Sequence, residues 1–97
     1  MPKFLIRREI PDAEKLTPEQ LNGISKKSNS VISGLNHEGH DIQWVHSFIS
    51  DNQIMCVYIA PDEQTLREHA IRGEFPANGI TQVKGMIDPM TGEDHKS

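Results

Sequence analysis

The chain has a single cysteine among its 97 residues, with one tryptophan, one tyrosine and three phenylalanines. A lone cysteine closes no internal disulfide, which excludes the cross-linked small secreted domains and fits a reducing compartment. Positive charge is short as well: ten Lys and Arg stand against fourteen Asp and Glu, a formal charge of −4. Such a surface repels phosphate backbones and argues against a nucleic-acid partner. No apolar run approaches the ~20 residues that cross a bilayer, so no membrane partner is expected. The opening stretch MPKFLIRREIPD has an apolar run too short for a signal peptide and no small-residue cleavage site, so a cytoplasmic location is expected. Also missing are a nucleophile elbow, a phosphate-binding loop and an H-E-x-x-H pair, and with them the strong catalytic signatures.

What is present reads as one small domain with an ordinary balance of apolar and charged residues. Lys3 to Glu9 alternates in the manner of a strand, and Ile10-Pro11-Asp12 ends it because proline donates no ladder hydrogen bond. Thr17, Pro18 and Gln20 form the pattern of a capped helix start. Leu21, Ile24, Ser28, Val31, Ile32 and Leu35 then recur at helical spacing, with Gly34 near the expected end. NHEGHD, from Asn36 to Asp41, reads as a polar loop. Ile42 to Pro61 reads as a hairpin with its turn at Ser50 to Gln53. Pro61, Asp62 and Glu63 suit a second helix start, whose inner stripe is Leu66, His69, Ala70 and Gly73, with Gly73 as its cap. Ile80 to Ile87 reads as a last strand, and the polar segment from Asp88 is expected to fray. The order β-α-β-β-α-β predicts an α+β, ferredoxin-like domain over residues 1–89, a four-stranded antiparallel sheet with two helices on one face, and a flexible tail at 90–97.

The hairpin strands carry apolar residues on both faces, whereas a sheet facing water on one side alternates cleanly. The uncovered face is therefore expected to pack on a second copy of the chain, sheet against sheet. The hairpin also sets His46 and Cys56 either side of the turn, and turn length decides whether they meet. A two-residue loop at Asp51-Asn52 pairs Ser47 with Cys56. A three-residue loop from Ser50 to Asn52, with Asn52 left-handed, pairs His46 with Cys56 and Trp44 with Tyr58, and it is favoured because it groups Trp44, Phe48, Ile54 and Tyr58. Directly opposed side chains have Cβ atoms roughly 4.5–5.5 Å apart. An ion bound at about 2.3 Å to sulfur and about 2.0–2.1 Å to nitrogen spans such a pair. His69, on the inner stripe of the second helix, is the candidate third ligand. Against this stands the plain reading, in which the cysteine is a small buried hydrophobe and His69 a satisfied core residue. His37 and His40, in the HEGH of the loop, are better read as solvated.

Several stretches together resemble a known family: KFLIRREIP, LTPEQL, and WVHSFISDNQIMCVYIAPDEQTLREHAIRGEFPA with a valine in the last strand. It is a family of small bacterial ferredoxin-like proteins, long catalogued as a domain of unknown function, with one branch described as nickel-binding. The resemblance runs from Met1 to about Pro89. Its most specific part is a histidine in the second strand, a cysteine in the third and a histidine in the second helix before a glycine, here His46, Cys56 and His69. The resemblance implies a non-enzymatic homodimer that binds a divalent transition metal, Ni(II) favoured, with Zn, Cu or Co as possible ions for a thiolate and imidazoles. Phe75 stands where the nickel-binding branch has a further histidine, and the NHEGHD loop is an insertion.

Two rival functions fit the same order of elements. Dimeric α+β barrels act on small apolar or aromatic molecules, and here His46, Tyr58 and Trp44 would line such a pocket, with His46 as base and Cys56 beside it. RNA-recognition domains stack bases on sheet aromatics such as Trp44, Phe48 and Tyr58. The negative charge and the absence of a K/R-G-F/Y stretch weigh against that reading.

Overall fold

A computed structural model describes residues 1–93. Four strands, β1 (Lys3–Glu9), β2 (Gln43–Ile49), β3 (Gln53–Ile59) and β4 (Gly79–Val83), alternate with α1 (Pro18–His37) and α2 (Glu63–Gly73). The sheet is antiparallel, in the order β2-β3-β1-β4. This is the expected α+β, ferredoxin-like arrangement. The last strand is shorter than the sequence suggests, ending at Val83 rather than Ile87. Pro89–Gly92 forms a short 3₁₀ turn capped by Asp88. Residues 94–97, half of the expected tail, lie outside the described part.

α1 begins as its sequence requires. The Thr17 side chain accepts from the Gln20 amide at 3.1 Å, and the Gln20 side chain accepts from the Thr17 amide at 2.9 Å. The helix runs past Gly34 to His37, so the start of the expected polar loop is helical. Its far end is tied to α2 by Arg72, which donates to both Glu38 oxygens and to Glu68, and holds the Glu38 carboxyl below its ordinary pKa.

α2 starts two residues later than Pro61 suggests, at Glu63, with Asp62 as its cap accepting from the Thr65 amide at 2.8 Å. At its other end the left-handed residue is Glu74 (φ 57°), not Gly73. The Glu74 and Phe75 amides fold back onto Ile71 and Ala70 carbonyls, the two bonds of a Schellman ending. Gly73 serves a different need. A Cβ there would run into the Phe75 ring, which lies back against the helix and stacks on His69 with centroids 5.4 Å apart.

Two faces of the sheet differ. Phe4, Ile6 and Arg8 of β1, with Ile54, Cys56 and Tyr58 of β3, point toward the helices and are buried with Leu35, Ile42 and Leu66. On the opposite, open face, aligned rows run His46–Val57–Leu5–Thr81 and Phe48–Met55–Arg7–Gly79.

The β2–β3 register corrects the favoured hairpin. Ser50 donates to the Gln53 carbonyl at 2.9 Å, leaving a two-residue loop, and Ile49 opposes Ile54 and Ser47 opposes Cys56. Asn52 is not left-handed. Its backbone and side-chain oxygens instead accept from the Ile10 and Asp12 amides, so the turn is fixed by the segment following β1. A bulge at Val45 then inserts one residue and restores the Trp44–Tyr58 pair. Without it, strict alternation would send Trp44 to the open face. With it, Trp44 lies over the core and donates from Nε1 to Ser47 Oγ at 2.9 Å.

The ending of α2 gives a stability test. Glu74→Gly removes a left-handed cost of about 1–2 kcal/mol and should stabilise by up to about that amount. Gly73→Ala should destabilise by about 1–3 kcal/mol through overpacking against Phe75. Urea midpoints of the two variants check both signs.

Candidate functional site

The three residues singled out in the sequence do not converge. His46 opposes Val57 on the open face and is exposed, with its ring edge-on to Phe48 at 4.9 Å. Cys56 opposes Ser47 on the helix side, free and buried. The expected His46–Cys56 pairing is therefore overturned, because the two-residue turn pairs Cys56 with Ser47 and assigns His46 to the opposite face. His69 shares the helix side with Cys56. Its centroid is 5.2 Å from that of Tyr58, and its Nε2 is 3.1 Å from Ser28 Oγ. Among the described residues no three His, Cys, Asp or Glu side chains gather closely enough to hold a metal ion. The described residues of a single copy therefore do not fit one.

The helix side holds a different feature. Between the first half of α1 and the sheet lies a cavity of about 240 Å³. Leu21, Ile24, Trp44, Ile49 and Ile54 make its walls mostly apolar. Arg8, Ser25, Ser28, Ser47 and Tyr58 supply polar groups, and Cys56 lies in its floor. The space exists because serines stand at positions 25, 28 and 47, where a filled core would have larger side chains. His46 is not in this wall, so the pocket imagined from the sequence keeps Tyr58 and Trp44 and loses its base.

Arg8 is the residue that sequence reading missed. It sits on the inward row of β1, 4% exposed, after Phe4 and Ile6. Its Nη1 donates to the Pro76 carbonyl at 2.6 Å, and Nη2 has no partner among the described residues. No ion pair of the described residues involves it. The Tyr58 and Phe75 rings, 5.9 and 5.4 Å from its Cζ, compensate part of the charge. The signal was available: strict alternation from Phe4 places Arg8 inside.

Electrostatics on this side follow from burial. Desolvation, with a smaller push from the Arg8 charge, lowers the His69 pKa to about 4. Burial raises the Tyr58 pKa, against smaller opposing effects of Ser28 and Arg8. His69 is thus neutral at pH 7, and its Nδ1 has no partner among the described residues.

The fold is that of the small ferredoxin-like α+β domains. Residues 4–83 match the model of a family described as nickel responsive protein SCO4226-like, and the chain belongs to that family. No curated protein sequence matches. The crystal structure of SCO4226 from Streptomyces coelicolor A3(2) is similar in fold, with a TM-score of 0.72 at 15% identity, covering 88% of this chain and 99% of that one.

His69 yields a pH prediction. Its folded pKa of about 4 lies below the ordinary value of 6.5, so below that value the unfolded chain takes up a proton that the folded chain refuses. The stability present above pH 6.5 should fall by up to about 3 kcal/mol as pH drops toward 4. Comparing urea unfolding of wild type and His69→Gln across that window isolates the effect. The variant should lose this part of the slope, and equal slopes would contradict a neutral buried imidazole.

Proposed function

We propose that the chain acts as a homodimer, open sheet face against open sheet face, and binds a divalent transition metal rather than catalysing a reaction. Ni(II) is favoured, with Zn(II), Cu(II) and Co(II) as the other borderline ions that accept such ligands. The observation that carries this reading is an exposed imidazole, His46, on the sheet face opposite the helices, beside an exposed Phe48. Phe48 on that face is 63% exposed, beside Met55, Val57 and Leu5. Burying such a patch favours self-association at about 25 cal/mol per Å². An isologous pairing near the His46 row brings a second His46 from the other copy. Membership in a nickel-responsive family supports the choice of ion.

The three candidate ligands are then divided between two places. His46 belongs to the interface. Cys56 and His69 lie on the helix side of the sheet, away from that interface.

The test is metal binding by tag-free protein, read by equilibrium dialysis with Ni(II), alongside sedimentation at several protein concentrations. His46→Ala should weaken Ni(II) binding at least about tenfold, and Cys56→Ser should leave it unchanged. A concentration-dependent dimer is expected, and Phe48→Lys should shift it toward monomer. Loss of binding in Cys56→Ser with none in His46→Ala would move the ion off the interface and overturn this assignment.

A further inference from the structure

The cavity beneath α1 plays no part in the interface reading, and its composition is selective. Its walls are aliphatic and aromatic, its polar groups are few, and one of them is a guanidinium with no counter-charge among the described residues. Such a pocket has the usual make-up of a small-molecule site, though at about 240 Å³ it is below the common range of about 300–1,000 Å³. At about 30 Å³ per water in the liquid, it takes a body of about eight to ten non-hydrogen atoms. Ile10 and Leu21 are partly exposed and Ile49 is 45% exposed, which leaves a route in at the rim between α1 and the hairpin.

We propose that this cavity binds a small apolar molecule bearing one carboxylate, with its hydrocarbon body among Leu21, Ile24, Trp44 and Ile54 and its charge turned toward Arg8. The physical case rests on the buried cation. A charge removed from water without a counter-ion is costly, and ring faces and one carbonyl compensate only part of that cost. A carboxylate in the adjoining cavity supplies the missing opposite charge where screening by water is weak. The Tyr58 phenol beside Arg8 and the serine hydroxyls at 25, 28 and 47 add hydrogen-bonding groups that fix the head group. The apolar walls supply affinity without specificity, so the charge determines which molecules stay. An alcohol of the same size keeps the first contribution and loses the second.

Trp44 is the only tryptophan of the chain and lines the cavity, so its fluorescence reports occupancy directly. The experiment titrates the full chain, with EDTA present to remove metal, with phenylacetate and octanoate and with the matched alcohols 2-phenylethanol and octan-1-ol. At least one acid should give a saturable change in Trp44 emission and bind at least about tenfold more tightly than its alcohol. Arg8→Met should bring acid and alcohol to similar affinity, and Ser25→Leu, which fills the cavity, should abolish both responses. The wild-type comparison stands even if a variant fails to fold. No saturable response to either acid, alcohols binding as tightly as the acids, or a preference that survives Arg8→Met would each overturn the proposal.

Discussion

The register of β3 against β2 is the constraint on which the rest depends. A two-residue turn, held in place by Asn52 accepting from Ile10 and Asp12, sets Ser47 opposite Cys56. One extra residue at Val45 then returns Trp44 to the core. Each step decides a face. The turn sends His46 and Phe48 to the open side, and the bulge keeps the largest side chain of the chain with Tyr58. A one-residue change in the turn would send the inward residues of β2 to the other face, and loss of the bulge would do the same to Trp44, because side chains alternate with a period of two.

From this follows a molecule with two chemically separate sides. The open side is apolar at its centre, carries one exposed imidazole, and is suited to meeting a second copy. The helix side is a core made incomplete by serines at three inward positions, with a buried guanidinium at its margin. Charge and volume are linked there. The Arg8 field contributes to keeping His69 neutral, and the same field makes the cavity beside it attractive to an anion. The likeness to SCO4226, at 15% identity, establishes the common fold and leaves each side's chemistry to this chain's own residues.

Much of the fold was legible because local chemistry and global pattern agreed. Thr17, Pro18 and Gln20 specify where α1 starts, and alternation in Lys3–Glu9 gives β1 its bounds. The order of elements then leaves few topologies. Legibility failed where two local rules competed. Both turn lengths were sterically open to Ser50-Asp51-Asn52-Gln53, and grouping the aromatic residues favoured the wrong one. The short turn takes Phe48 out of that grouping, the bulge returns Trp44 to it, and nothing in the local composition of QWVHSFI announces the bulge. The end of α2 departs from its sequence pattern for a related reason. Gly73 looked like the left-handed residue but is small to admit Phe75, and Glu74 takes the strained conformation instead. The family resemblance named His46, Cys56 and His69 as a set. The structure separates the first from the other two, because spacing along a hairpin does not reveal the length of its turn.

The most direct test of the account is the side of the sheet on which the His46 ring lies, read from proton–proton nuclear Overhauser contacts in isotope-labelled protein. The account predicts contacts from the His46 ring to the Val57 methyl groups and the Phe48 ring, and from the Trp44 ring to the Tyr58 ring, with none to the Cys56 β-protons. Contacts between the His46 ring and the Cys56 β-protons would place both on one face and contradict the register on which the division of the site is built.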